Sequence, residues 1–176
     1  MVPHGYVGAL ACDPIEKKPF FHVLPGSDAL TFGMLGCDYH CGYCQNWITS
    51  QALRDPAAGG GGAPTPASAE RIVGTALERN IPIITSTYNE PLITAEWAVE
   101  VFRLARSYGI HCSFVSNGNA TPEVIEYLKP YLRLYKVDLK SFRQENYRQL
   151  GGRLETVLDT IRLLHREGIW VEVVTL

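Results

Sequence analysis

The stretch Pro82-Ile-Ile-Thr-Ser-Thr-Tyr-Asn-Glu-Pro91 carries the pattern on which the fold turns. Its first half is β-branched and nearly all apolar, as suits a strand covered on both faces, and it breaks at once into a polar turn. Beyond it, Ile93, Trp97, Val101, Leu104, Ala105 and Tyr108 recur at helical spacing, which predicts a helix over residues 93–108 that buries Trp97. Gly109 closes that helix, and residues 111–116 are again strand-like, running into Asn117-Gly118. A strand, a helix and a second strand in this order describe one step of a parallel sheet.

The same alternation extends in both directions. Upstream, a strand over residues 30–35 is separated from a helix at 68–79 by a Pro/Gly-rich stretch, residues 56–66, whose four consecutive glycines read as a flexible surface loop. Downstream, Thr121 and Pro122 are good N-cap and first-turn residues for a helix that Pro130 ends. A strand over 132–140, a helix over 153–167 stopped by Gly168 and a strand over 169–176 follow. Five βα units make an α/β fold, a partial TIM-like (βα) barrel truncated after about five strands, since a closed eight-fold barrel takes about 250 residues. Residues 1–29 are expected as an N-terminal extension and residues 30–176 as the core domain. The last strand, apolar and at an edge, predicts a fragment or a chain that needs a partner.

Between the first strand and the glycine loop lies Gly36-Cys-Asp-Tyr-His-Cys-Gly-Tyr-Cys-Gln-Asn-Trp47, with Cys37, Cys41 and Cys44 in a CxxxCxxC spacing. Closed structural zinc sites and ordinary iron-sulfur clusters take four protein ligands, so three thiolates in one loop leave a metal position open to a substrate or cofactor. The alternatives are a zinc knuckle completed by His40 or a remote histidine, an electron-transfer cluster completed by Cys12 or Cys112, and coincidence. Zinc motifs usually come as two separated ligand pairs, and only one cluster stands here. Cys12 and Cys112 read as buried strand residues. The five histidines show no spacing that joins them into a metal site.

Composition narrows the class further. With 16 Lys and Arg against 18 Asp and Glu the formal charge is -2, so no global basic field recruits nucleic acid. The pair Lys17-Lys18 is too short to change that. No run approaches membrane-spanning length, and the apolar start lacks the basic flank of a signal peptide. Three cysteines in a metal-like cluster argue for a reducing compartment, the cytoplasm by default.

The cysteine loop resembles that of the radical S-adenosylmethionine (SAM) superfamily, in which three cysteines hold a 4Fe-4S cluster whose fourth iron chelates SAM. Strand ends extend the likeness. Tyr88-Asn-Glu-Pro91 lies where many members have Gly-Gly-Glu, keeping the acid but neither glycine; Ser116-Asn117-Gly118 resembles the Thr-Asn-Gly of glycyl-radical-activating enzymes; and Asp138-Leu139-Lys140 matches their Asp-Leu-Lys. Together with Asp13-Pro-Ile-Glu-Lys-Lys-Pro-Phe20, Cys44-Gln-Asn-Trp47 and Val137-Asp-Leu-Lys140, these look like the AmmeMemoRadiSam-system radical SAM enzymes, relatives of the pyruvate formate-lyase-activating enzyme. Such proteins normally carry further sequence before and after this span. Val115 departs from the activating enzymes, which often have an acid there for a cation beside SAM.

The resemblance implies a 4Fe-4S cluster on Cys37, Cys41 and Cys44, and SAM contacts from Tyr43, Asn89, Glu90, Ser116, Asn117, Asp138 and Lys140, with Tyr43 against the adenine and Glu90 on the ammonium. It implies reductive cleavage of SAM to a 5'-deoxyadenosyl radical that abstracts hydrogen, an electron donor of flavodoxin or ferredoxin type, and a protein substrate attacked at a glycine carbon; a small molecule or RNA is the second enzyme reading. Each residue also has a structural reading. Glu90 suits the N-terminus of the helix after it, Asn117-Gly118 a turn, and Asp138 with Lys140 an ion pair on one face. The non-enzyme alternative is an inactive or partner-dependent iron-sulfur or zinc-binding fragment.

Overall fold

The computed structural model describes residues 4–58 and 64–175. The glycine loop at 59–62 and the end of the last predicted strand, Leu176, lie outside the described residues. Strands β1 (Tyr6–Val7), β2 (Ala9–Pro14) and β3 (Asp28–Gly33) open the chain, and α1 (Trp47–Ser50) and β4 (Thr65–Pro66) follow. Then come α2 (Ala69–Glu78), β5 (Ile83–Ser86), α3 (Ala95–Ser107), β6 (His111–Ser116), α4 (Pro122–Leu128), β7 (Leu134–Leu139), α5 (Gln144–Leu150), α6 (Leu154–Arg166) and β8 (Trp170–Thr175). The main sheet has six strands in the order β2-β3-β5-β6-β7-β8, with β2 antiparallel to β3 and every later pair parallel. β1 and β4 pair separately. The five parallel strands fall where the hydrophobic pattern put them, within a residue or two; β2 is the strand in which Cys12 was read, without bounds, and β1, α1, β4 and α5 were not expected as elements.

The alternation of strand side chains divides the molecule into two layers. Leu30, Phe32, Ile84, Cys112, Phe114, Tyr135, Val137 and Leu139 join the helices in the larger core, where Phe102, Phe114 and Tyr135 form a run of tilted rings with centroids 5.7 and 5.8 Å apart. Ala29, Ile83 and Leu134 occupy the opposite, concave face and pack with Ile15 and Phe20, both 0% exposed. Those two belong to the segment after β2, which crosses the concave face of the open sheet. Its far end is tied to the opposite edge, where Glu172 of β8 accepts the backbone N–H groups of Phe21 at 2.9 Å and His22 at 3.2 Å. The concave face is therefore closed by this strap rather than by helices, which is why the apolar strand pattern holds on both sides.

Helix caps match their sequence signals: Ser68 Oγ accepts from Arg71 N, and Thr121 Oγ1 accepts from Val124 N ahead of Pro122. The helix expected at 93–108 is shorter. Pro91–Thr94 forms a 3₁₀ turn, and Ala95, Ala98 and Phe102 join Trp97, Val101 and Ala105 on the buried side, while Ile93 and Tyr108 are exposed. Cys112 is fully buried as expected, whereas Cys12 is only half-buried on β2, an edge strand. No helix among the described residues is long and apolar enough to cross a membrane.

Candidate active site

A cleft of about 330 Å³ opens at the carboxyl ends of the parallel strands, within the range of small-molecule sites. The expected residues Cys37, Cys41, Tyr43, Cys44, Asn89, Glu90, Ser116, Asn117, Asp138 and Lys140 all line it. So do Lys17, Lys18, Val115, Lys136 and Val174. Residues spread over a hundred positions converge because each parallel strand delivers its last residues to the same rim.

The cysteine loop is anchored from behind. Tyr39 is 1% exposed, meets Tyr147 of α5 edge-on at 6.2 Å and lies against Gly152, where a Cβ would come within 2.4 Å of its ring. His40 N donates to Leu150 O at 2.9 Å, and Gln51 Nε2 donates to Tyr39 O at 3.1 Å. From in front, Asp38 accepts from Asn117 Nδ2 and Asn119 Nδ2, both at 2.7 Å, which ties the loop to the end of β6. Tyr39 N points at Cys37 Sγ at 3.4 Å. Asp38 was not singled out in the sequence; its place between two of the three cysteines was the available signal.

Glu90 is the hinge of the second wall. It is 3% exposed, and its Oε1 accepts from Ser116 Oγ at 2.7 Å and Leu92 N at 3.1 Å while Oε2 accepts from Asn117 N at 2.9 Å. Burial, with Asp38 adding to it, pushes its carboxyl up to about 7. Its reading as the acid of a helical turn is realised, and the same carboxylate joins β5 to β6. Ser116 Oγ also accepts from Tyr135 Oη at 2.8 Å and from Gly118 N at 3.0 Å. Asn89 supports the rim instead of projecting freely: Oδ1 accepts from Met34 N at 3.0 Å and Nδ2 donates to Thr94 Oγ1 at 3.3 Å. Tyr88 sits at φ 72°, with its hydroxyl bonded to Thr31 Oγ1 at 2.8 Å and to Lys18 Nζ at 3.0 Å. Gly33 is required beside it, because a Cβ there would lie 2.0 Å from Thr87 O.

On the third wall Asp138 is shared by two lysines, Lys140 Nζ at 2.8 Å and the ammonium of Lys136. Lys136 is 4% exposed and Lys140 is held by its own backbone N–H, which donates to Tyr147 Oη at 3.1 Å. Period-two spacing placed Asp138 and Lys140 on one face; the same rule puts Lys136 there, a reading the apolar run around it had masked.

Burial, with Glu90 adding to it, drives the Cys37 thiol up to about 12, and burial raises Cys41. Thiolates form in such surroundings only beside a cationic centre. Among the described residues no three His, Cys, Asp or Glu side chains converge as a single metal ion requires. Three free thiols on one loop of a common cleft fit a cluster in which each thiolate takes its own iron.

Residues 32–176 match the model of the radical SAM superfamily, and the chain belongs to that superfamily. Its members typically bind a 4Fe-4S cluster and SAM for SAM-dependent radical chemistry. The chain is 34% identical over 175 residues to the uncharacterized protein MJ0808 of Methanocaldococcus jannaschii, covering 99% of this chain and 50% of that one. It thus spans about half the length of this relative. Among solved structures it resembles TYW1 with a lysine-pyruvate adduct bound, with a TM-score of 0.53 and 18% identity over 84% of this chain and 54% of that one. QueE from Escherichia coli gives a TM-score of 0.50 and 11% identity over 97% and 94%. At these identities the likeness is one of fold, and it agrees with the partial barrel.

Proposed function

We propose that this chain is the catalytic core of a SAM-dependent radical enzyme, of the AmmeMemoRadiSam type and related to glycyl-radical-activating enzymes. The observation that carries it is the convergence of Cys37, Cys41 and Cys44 with Glu90, Asn117, Asp138 and Lys140 on one cleft at the strand ends. In this reading the three cysteines hold a 4Fe-4S cluster, which supplies the electron that makes SAM a source of a hydrogen-abstracting radical. The chain's own residues orient and shield. Asp38 fixes the loop through Asn117 and Asn119, and Glu90 holds the ends of β5 and β6 together. Asp138 and Lys140 offer an acceptor and a cation to polar groups of SAM. Tyr43, 56% exposed at the mouth, offers a ring face to the adenine. The strap and the helix layer exclude water from behind.

The activating-enzyme kinship suggests hydrogen abstraction from a glycine carbon of a protein partner; it is supported by the Ser116-Asn117-Gly118 and Asp138-Leu139-Lys140 motifs. A flavodoxin- or ferredoxin-type reductant is supported by the exposed Tyr43, Ile48 and Leu53 on and beside the cysteine loop. The test is anaerobic reconstitution with iron and sulfide, dithionite reduction with SAM, and quantification of 5'-deoxyadenosine for this chain and for Cys41→Ala. Cleavage that disappears in the variant is expected. Stoichiometric zinc binding with no cluster would overturn the proposal.

A further inference from the structure

The four lysines that line the cleft pair with two carboxylates, and Lys136 is the most deeply buried of them. Lys18 is held by Asp13 at 3.1 Å and by the Tyr88 hydroxyl, and its Nζ sits 4.7 Å from the centre of that ring. Lys17 is 66% exposed and pairs with the same Asp13 at 3.0 Å. Lys136 and Lys140 likewise share a single carboxylate, that of Asp138, but among the described residues neither has a second partner such as the Tyr88 hydroxyl gives Lys18. An ammonium has three N–H donors, and among the described residues Asp138 is the only acceptor of the Lys136 group.

The neighbours of Lys136 across the sheet give its ammonium no further hydrogen-bond acceptor. Its register partner on β6 is Val115, and on β8 it is Glu172. Glu172 is engaged by the strap, accepting from Phe21 N, His22 N and Trp170 Nε1. Glu90 is engaged by Ser116, Leu92 and Asn117. Val115 and Val174, which line the cleft with Lys136, offer no acceptor. An ammonium 4% exposed with half a counterion is costly to bury. Burial and the adjacent Lys140 bring Lys136 down to about 8, against the opposing pull of Glu90.

We propose that Lys136 is an oxyanion-binding residue of this cleft, holding a carboxylate or phosphate group of the substrate against the concave wall of β7. In a protein substrate that group is an acidic side chain beside the reacting glycine. The proposal rests on the cleft being the substrate chamber of the radical enzyme proposed above. It names the chemistry by which that chamber selects what enters: an anion completes the neutralisation that Asp138 begins, and a neutral analogue leaves the buried charge unanswered.

The test is anaerobic calorimetric titration of the reconstituted chain with inorganic phosphate and, separately, with succinate, each with and without saturating SAM. Wild type, Lys136→Met, Lys136→Arg and the surface control Lys129→Met are compared. Binding of at least one of the two anions in the presence of SAM is expected, weakened about tenfold or more in Lys136→Met and kept in Lys136→Arg and Lys129→Met. Which anion binds separates carboxylate from phosphate. No binding to wild type, or equal binding to Lys136→Met, would overturn the proposal. Binding seen only without SAM would also overturn it, by assigning Lys136 to the carboxylate of SAM. Should Lys136→Met fail to fold, wild-type crystals soaked in selenate decide: an anomalous peak at Lys136 Nζ supports the site, and none there refutes it. Anion binding is read independently of 5'-deoxyadenosine formation. Loss of SAM cleavage with anion binding intact would therefore sink the radical reading, and the reverse would sink only this one.

Discussion

Replacing Glu90 with Gln should change stability in a way that depends on pH. The Glu90 carboxyl is pushed up to about 7, chiefly by burial, against 4.5 in an open chain. Its folded pKa lies above its unfolded one, so the protonated group favours the fold. That contribution is complete below about pH 4.5 and is lost as the pH rises through about 7. The gap, 7 minus 4.5, corresponds to about 3 kcal/mol at roughly 1.4 kcal/mol per unit. Gln does not ionise, so between about pH 4 and pH 8 the wild type should lose about 3 kcal/mol relative to Glu90→Gln. A constant offset of about 1–3 kcal/mol against Gln is also expected, because its NH₂ must face one of the donors now bonded by the carboxylate, Asn117 N or the Ser116 and Leu92 pair. Urea unfolding of the reduced chain, followed by circular dichroism at closely spaced pH values, measures both. Two stability curves that stay parallel across the range would refute the account of a buried, proton-holding Glu90.

Two further outcomes test the scaffold. Gly152→Ala forces a Cβ to 2.4 Å from the Tyr39 ring; a loss of about 1–3 kcal/mol is expected, together with less iron per chain after reconstitution, and unchanged iron content would show that the cysteine loop is not held from behind. Phe20→Ala empties the strap's fully buried anchor and should cost about 3–5 kcal/mol in chemical denaturation; a loss under about 1 kcal/mol would mean that the strap does not close the concave face.

What was legible in the sequence was what repeats or what chemistry makes rare. Strand and helix positions followed from periodicity, since four of the five parallel strands, β3, β5, β6 and β7, are buried on both faces, the edge strand β8 keeps the same β-branched run, and each crossover helix buries one face. The three cysteines stood out because no ordinary packing need puts three thiols within eight residues. The strap was not legible: Ile15, Phe20 and the apolar residues around them carry no helical or alternating period, because they fill the space between strands instead of extending one. Asp38, Asn119 and Lys136 were missed for a related reason. Asp38 stands between two of the cysteines and Lys136 two residues before Asp138, but each gains its meaning only from partners far along the chain, Asn117 for Asp38 across 79 residues and the rest of the concave wall for Lys136.

By itself, then, the amino-acid order determined a βα repeat, a loop of three closely spaced cysteines and a set of strand-end polar residues, because local spacing governs which side chains share a face. Only the tertiary structure decided that the ends of β3, β5, β6 and β7 meet around one cleft, that Glu90 bonds two of them together, and that two lysines compete there for one aspartate. Those facts depend on distances between segments, which the pleat and twist of the assembled sheet set and which no window of sequence contains.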